Sequence, residues 1–429
     1  MVTYKTDKEL TINPLKVSQT LGGVLALQGF YQAIPIVHGS QGCAAFIKAL
    51  MTQHYQEPIA IQTTALQEMN IIFGAEQNMI KAMDKVLEKH KPSIVAVIST
   101  GLTETAGDDL IGNLNNYIKE VDKECSCFIF PVSLPDFEGS LESGYSRTVE
   151  AMIRQLLKKE KDCISNQKIK NQINFFPGSH LTPADVMEIK RILQSFGFTV
   201  ITAPDLSTSL AGNYALGYSS LTQGGITYSQ SKQLVFSEYT IAVGSSMEGA
   251  AKMMEEGAGI PFRVFPSLSG LKANDEFFSF LQAISKQSVS PFYHWERNVL
   301  MDCLLDAHFN FLGKKVVLAL EPDHLYSFIT LCKGLGLKFD GLVTSFSTNI
   351  LSKIDEEITI GDLDDLEKMA TSADLWISNS HGEQGAIRMN IPFMPAGFPI
   401  FHQLGNSLAT SVGYRGTTET IIKLGNLLK

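Results

Sequence analysis

Apolar and polar positions follow two alternating patterns along the chain from Lys91 onward. Short runs rich in β-branched residues, of which Ser93–Thr100 (SIVAVIST) is the first clear one, alternate with stretches whose apolar residues recur at helical spacing. The segment GDDLIGNLNNYIKEV follows the first run, and its Asp108 and Asp109 favour a helix N-terminus. Because strands that alternate with helices build parallel sheets covered on both faces, the pattern predicts an α/β protein of repeated doubly wound units.

The first unit ends where a helical stripe gives way to a polar run. In TVEAMIRQLLKKEKD the apolar residues fall on one helical face, namely Val149, Met152, Ile153, Leu156 and Leu157. The segment KKEKDCISNQKIKNQ that follows carries no such stripe. We therefore predict a first α/β domain over residues 1–165, which includes the N-terminal segment.

Two further units repeat the order of strand and helix. The second opens with the strand INFFPGSH and a helix that Thr182 caps, Pro183 begins and Gly197 ends, which places this domain at residues 166–291. The third, at residues 292–429, begins with a long bridging helix from about Phe292 to Phe311 and ends in a helical segment. The sequence thus predicts three Rossmann-like doubly wound domains with parallel sheets flanked by helices.

Composition and charge narrow the class of protein. With 429 residues and 44% hydrophobic content the chain can bury several cores, and its formal charge of -9 without a basic block argues against nucleic acid as a partner. The first residues lack an apolar core and no later apolar run approaches a membrane span. We expect no membrane association and a cytoplasmic location.

Six cysteines without a C-x-x-C pair suit a reducing compartment and argue against a self-contained zinc or ferredoxin-type site. Cys43 stands out, because IPIVHGSQGCAAF breaks an apolar strand into a Gly-rich turn ahead of a helix. Gly39 and Gly42 would let the backbone approach a ligand, and His38 lies five residues before the thiol. From residue chemistry alone, however, a lone cysteine is more often a small buried apolar group.

Several short sequence motifs favour a ligand role for Cys43 over a purely structural one. The chain resembles the nitrogenase component 1 family and its cofactor-assembly relatives in NPLKVSQTLGG, HGSQGC, STGLTETAGDDL, IPFMPAGFPI and GYRGT, which occur in the family's order and span nearly the whole chain. The resemblance implies three α/β domains around metal clusters. It also implies that Cys43 is one ligand of an iron–sulfur cluster shared between α- and β-type subunits.

Two departures from the family pattern refine this expectation. The catalytic β subunit carries two further cluster cysteines, and the matching positions here are Ser18 and Gly101. A four-iron cluster takes four thiolates and the larger eight-iron cluster needs more, so the resemblance implies a four-iron four-sulfur cluster. We expect Cys43 to bind its metal, with His38, Gly42, Ser18 and Gly101 in the cluster surroundings.

The implied assembly is a cofactor scaffold without turnover of its own. This chain would be its β-type subunit, paired with an α-type scaffold subunit in an α2β2 heterotetramer. The partner would supply three thiolates and hold most of the iron–molybdenum cofactor precursor. The nitrogenase iron protein would dock transiently, and a donor protein would deliver the precursor.

The sequence is also compatible with other functions. The chain could be the β-type subunit of a catalytic nitrogenase or of a nitrogenase-like tetrapyrrole reductase, or, without the resemblance, a sugar-nucleotide-binding enzyme with tandem Rossmann-like domains. The hydroxyl-rich turn Ser99–Glu104 could line the cluster pocket or simply cap a helix. We expect structural roles for Cys125, Cys127, Cys163, Cys303 and Cys332, and a structural or exposed His381.

Overall fold

The computed structural model describes residues 3–5, 8, 11–121, 127–164, 168–213, 217 and 219–429. Over these residues the strands form three sheets in which every pairing is parallel. The strands are β1 Thr3–Lys5, β2 Ala33–Val37, β3 Gln62–Thr63, β4 Ile94–Ile98, β5 Phe128–Val132, β6 Gln172–Pro177, β7 Thr199–Thr202, β8 Tyr239–Val243, β9 Phe262–Phe265, β10 Lys315–Ala319, β11 Lys338–Thr344, β12 Ile358–Ile360, β13 Leu375–Ser378 and β14 Phe393–Pro395.

The described helices connect these strands and cover the sheets. They are α1 Gln19–Gln28, α2 Gln41–Tyr55, α3 Glu68–Phe73, α4 Glu76–His90, α5 Gly101–Ala106, α6 Leu110–Val121, α7 Leu141–Lys159, α8 Pro183–Ser195, α9 Tyr228–Ser231, α10 Glu248–Ala258, α11 Leu271–Ser285, α12 Pro291–Phe311, α13 Pro322–Gly334, α14 Leu363–Met369, α15 Glu383–Arg388 and α16 Gly413–Leu427.

The first sheet has the strand order β3-β2-β4-β5 and is covered by helices on both faces. Ile34 and Val95 face a core shared with α4 and α6, whereas Val37 and Ile98 face a core shared with α1 and α7. All five residues of β2 and of β4 are buried, which explains their unbroken apolar runs. This arrangement confirms the predicted doubly wound α/β fold.

The second sheet has the order β7-β6-β8-β9 and the third the order β1-β12-β11-β10-β13-β14. Helix α8 has the predicted ends: the Thr182 hydroxyl accepts from the Asp185 N–H at 3.0 Å, Pro183 opens the helix, and Gly197 follows it with φ +78°. The predicted long helix is α12, which packs on α16.

The N-terminal segment departs from the predicted grouping. The prediction joined it to the first domain, whereas Thr3 pairs with Ile358 at the edge of the third sheet. The Lys8 ammonium holds it there through Asp362, Asp364 and Asp365 at 2.9, 2.8 and 2.6 Å. The domain limits at 165 and 291 stay predictions.

The three sheets meet at a buried cluster of carboxyl groups. The Asp323 N–H donates to Glu142 Oε2 at 2.9 Å, while the N–H groups of Ser245 and Ser246 donate to the Asp323 carboxylate at 3.0 and 2.9 Å. Burial, with added repulsion from Asp323 and Glu321, raises the pKa of Glu142 well above its usual value. One helix of the first unit, one of the third and a loop of the second are thereby tied together.

Candidate functional site

The predicted site residues collect at the carboxyl-end edge of the first sheet, the side on which open α/β sheets bind ligands. The loop after β2 runs from His38 to Ser40 and leads into α2, where Cys43 is the third residue. The loop after β4 leads into α5, whose first residue is Gly101. Since β2 and β4 are neighbours in the sheet, the two loops lie side by side.

Cys43 has the accessibility that a shared metal ligand requires. Its side chain is half-buried, it packs partly against the core of the first unit, and its Sγ lies 3.3 Å from Ser40 Oγ. A Cβ atom added at Gly42 would find only Ser40 Oγ, 3.8 Å away, so the space beside the turn is open. A Cβ atom at Gly39, in contrast, would lie 2.7 Å from Thr100 Cγ2, so Gly39 allows the two loops to approach.

The described part of this chain offers one cysteine ligand to a metal cluster at this edge of the sheet. Cys127 and Cys332 are buried, Cys303 lies in α12, and Cys163 is exposed in the linker after α7. Cys125 lies outside the described residues. Among the described cysteines, Cys43 is therefore the only thiol at this edge of the sheet, and any metal cluster there would need ligands from another chain.

Ser18 and Gly101 come together around a carboxylate that the sequence did not indicate. Ser18 caps α1, accepting from the Thr20 N–H at 3.1 Å, and its hydroxyl donates to Asp136 Oδ1 at 2.8 Å. A Cβ atom added at Gly101 would lie 3.4 Å from Asp136 Cβ. Asp136 follows β5, the next strand of the same sheet, and thus occupies the space between the two positions where the catalytic relatives are expected to carry thiols.

His38 is buried, and both of its ring nitrogens have partners. Nε2 lies 2.8 Å from Asp108 Oδ2, and Nδ1 lies 3.1 Å from Thr64 Oγ1. Burial lowers the pKa of His38, and the Asp108 carboxylate opposes that shift. His38 therefore holds the loop before Cys43 in place, and in this arrangement it has no free nitrogen for a metal.

The hydroxyl-rich turn serves mainly to cap α5. Thr100 and Thr103 form a reciprocal capping box, with the Thr100 N–H donating to Thr103 Oγ1 at 3.0 Å. The Ser99 hydroxyl donates to the Glu104 carboxylate. These side chains use their hydrogen-bonding capacity within the chain, as the capping interpretation predicted.

An exposed apolar surface borders Cys43. Phe46 on α2 is 65% exposed and Phe73 on α3 is 77% exposed, and Met69, Ile72 and Leu102 are exposed with them. A shallow depression joins Ser40 to α3 and Leu102. We call these five apolar residues the apolar rim. Apolar side chains grouped in this way are typical of surfaces that bind another protein.

Comparison with known proteins gives the family. The family model described as "Nitrogenase component 1 type Oxidoreductase" matches residues 18–429. The chain belongs to the nitrogenase component 1 family. Within it, "Nitrogenase iron-molybdenum cofactor biosynthesis protein NifN" of Rippkaea orientalis is 39% identical and is matched over 96% of its length by the whole of this chain. The protein of that name from Klebsiella pneumoniae is 32% identical, with 99% of this chain and 93% of the relative covered.

Solved structures agree with the family assignment. The structure titled "Nitrogenase Cp1 at pH 6.5" superposes with a TM-score of 0.90 at 28% identity, covering 99% of this chain and 94% of that one. Membership in the nitrogenase component 1 family excludes the unrelated sugar-nucleotide enzyme. The relatives named NifN also do not favour the alternative of a catalytic nitrogenase or tetrapyrrole reductase subunit.

A cluster of three carboxylates elsewhere in the chain does not offer a free metal site. Asp362, Asp364 and Asp365 bring three carboxylates within 4.8 Å of one another, but the Lys8 ammonium already lies among them. In the part of the chain that the structure describes, no helix is long and apolar enough to span a membrane.

A cavity of about 360 Å³, which no sequence motif indicated, opens where the three sheets meet. Its lining includes His54, His180, His324 and Glu321, each of which is half-buried. Burial lowers the pKa of His180 to about 4 and the pKa values of His54 and His324 to about 3, so their imidazoles are neutral at pH 7. These histidines come from separate units of the chain, so no local sequence motif contains more than one of them.

Proposed function

We propose that this chain is the β-type subunit of the scaffold complex on which the precursor of the nitrogenase iron–molybdenum cofactor matures. Full-length similarity to relatives named for that biosynthesis supports the role. The observation that carries it is the half-buried thiol of Cys43, which among the described cysteines stands alone at this edge of the first sheet, with Ser18 and Gly101 gathered at Asp136 where further ligands would otherwise stand. The chain has no turnover of its own.

In this proposal Cys43 binds one iron of a four-iron four-sulfur cluster, and an α-type partner supplies the other three thiolates. When bound, such a cluster supplies low-potential one-electron transfer. The chain's own residues hold the thiol in position: His38 fixes the loop, Gly39 allows that loop to pack on Thr100, and Gly42 leaves space beside the sulfur. Asp136 keeps the neighbouring space free of further thiolates.

The apolar rim is the surface proposed to meet the α-type scaffold subunit, which is NifE-like. Two copies of each chain form the α2β2 heterotetramer in the cytoplasm, and the partner holds most of the cofactor precursor. The nitrogenase iron protein docks transiently, and a separate donor brings the precursor. Exposed aromatic and aliphatic side chains beside the half-buried thiol support this arrangement, because a cluster shared between subunits needs both a ligand and an interface at one place.

The Cys43→Ala variant tests the proposal in the co-purified complex. We expect it to lose about four iron atoms per αβ pair and the electron-paramagnetic signal of the reduced cluster. Cys163→Ala is the matched control, because Cys163 is exposed in a linker away from the sheet edge. Unchanged iron content and an unchanged signal in Cys43→Ala would refute the ligand assignment.

A further inference from the structure

The cavity at the junction of the three sheets contains a pair of imidazoles. His180 follows β6, His324 lies in the first turn of α13, and their ring centres are 6.0 Å apart. Both rings line the 360 Å³ cavity and also an adjoining compartment of about 10 Å³. A compartment of that size holds roughly one water-sized group.

One nitrogen of the His180 ring lacks the hydrogen bond that buried imidazole nitrogens usually make. Nδ1 of His180 is fully buried without a partner among the described residues. The backbone nevertheless makes room for this ring, because a Cβ atom added at Gly178 or at Gly244 would lie 2.9 Å from His180 Cε1. A closely fitted ring without a hydrogen-bond partner indicates that a ligand completes the site.

The spacing of the rings suits a single metal ion. A metal–nitrogen bond of about 2.0–2.1 Å puts the metal roughly 3.2 Å from the centre of each imidazole ring. Two rings whose centres are 6.0 Å apart can therefore reach the same ion. Neutral imidazole is a common ligand of zinc, copper, iron and nickel.

The surrounding charges favour a cation. Glu321 lines the cavity and is half-buried, and the buried carboxyl groups of Glu142 and Asp323 lie close to it. Among the described lining residues the one lysine or arginine is Lys423, on an exposed part of α16. A divalent cation would be attracted by the Glu321 carboxylate beside the rings, and an anion would be repelled by it.

We propose that His180 and His324 together bind one divalent transition-metal ion, whose remaining coordination positions face the larger cavity. A metal held by two protein ligands keeps positions open for water or for a small molecule in that cavity. The site is separate from Cys43 and would exist whether or not the interfacial cluster does. It adds a second metal-binding function to the chain.

Cobalt provides an element-specific probe in the intact complex. The complex, purified without a histidine tag and treated with a chelator, is equilibrated with Co²⁺ and measured by cobalt K-edge X-ray absorption and by metal analysis. We expect one cobalt bound per copy of this chain with scattering from two imidazoles. In His180→Gln and in His324→Gln, binding should weaken roughly tenfold or more.

His294→Gln is the matched control, because His294 is exposed on α12. Circular dichroism and recovery of the partner subunit report whether each variant folds, and the wild-type spectrum decides the question even if one does not. Cobalt without imidazole scattering, or equal binding by the His180→Gln/His324→Gln double variant, overturns the proposal. Cobalt binding retained in Cys43→Ala supports the separate site, and its loss there overturns the independence of the two sites.

Discussion

The Ser18 hydroxyl donates a 2.8 Å hydrogen bond to Asp136 across 118 positions of sequence. The same carboxylate oxygen accepts from the Gln19 N–H at 2.8 Å, so Asp136 anchors the start of α1. Asp136 is thus both a structural anchor and the side chain next to Gly101.

A double-mutant cycle measures this anchor. Ser18→Ala should lower the free energy of unfolding by about 1 kcal/mol, because it removes both the helix cap and the donor to Asp136. With Asp136→Ala as the second mutation, we expect a coupling free energy of about 1 kcal/mol in urea unfolding. Ser352→Ala, whose hydroxyl donates only to the carbonyl of Asn349 at an exposed site, is the control. Strict additivity of the two changes would contradict the interaction.

Restoring thiols tests whether Asp136 limits cluster size. The Ser18→Cys/Gly101→Cys double variant should keep wild-type iron per αβ pair, because Asp136 still fills the space between the two positions. Adding Asp136→Ala should raise the iron content, because the space and both new thiols then become available. Iron analysis of the anaerobic complexes measures this. A rise in the double variant alone would show that Asp136 is not the obstacle.

The apolar rim predicts the contact with the partner subunit. Phe73→Asp should weaken recovery of the α-type partner about tenfold, because a charge replaces a large apolar side chain at the proposed interface. Co-purification yield at equal expression reports the loss. Ile422→Asp on α16, which also replaces an exposed aliphatic side chain, should leave recovery unchanged. Equal recovery of both variants would place the interface elsewhere.

His38 makes stability depend on pH in a defined direction. Burial lowers its pKa in the folded state, so as pH falls below about 6.5 the unfolded state takes up a proton first and stability decreases. His38→Gln should show a smaller drop in unfolding temperature between pH 7 and pH 5 than the wild type. Asp108→Asn should steepen the drop, because it removes the charge that favours the protonated ring. Parallel pH profiles for all three proteins would rule out this linkage.

Glu142 makes stability depend on pH in the opposite direction from His38. Burial, with Asp323 and Glu321 nearby, raises its folded-state pKa, so the stabilisation present below about pH 4.3 is lost as pH rises through the raised value. The Glu142→Gln variant should therefore lose less stability than the wild type between pH 5 and pH 8, because the amide does not ionise. Urea unfolding at the two pH values measures the difference. The exposed control Glu88→Gln should show none.

Much of the fold could be predicted because buried strands and half-buried helices each have a characteristic pattern of apolar residues in the sequence. The strands β4 and β10 are nearly or fully buried and read as β-branched runs, and the ends of α8 follow from Thr182 and Pro183. Helix α1 was not predicted, because all ten of its residues are buried and its sequence therefore shows no polar face and no helical period. It packs so closely on α7 that a Cβ atom at Gly144 would lie 1.9 Å from the Gln19 carbonyl oxygen.

Only those parts of the candidate site that belong to a local sequence motif could be predicted. The Gly-rich turn drew attention to Cys43, and the family resemblance made it a candidate ligand and pointed to Ser18 and Gly101; these assignments stay predictions. Asp136 and the pair His180 and His324 were missed, because each acquires its neighbours from distant parts of the chain. Charge and polarity in sequence do not show which side chains will share a cavity.

The pairing of β1 with β12 also sets the timing of assembly on the ribosome. Lys8 and Asp362 are 354 positions apart. At about 5–20 residues per second, synthesis from the first to the second takes roughly 20–70 s, during which the leading segment has no native partner. The edge strand of the last sheet is thus made long before the strand with which it pairs, so this pairing can form only late in folding.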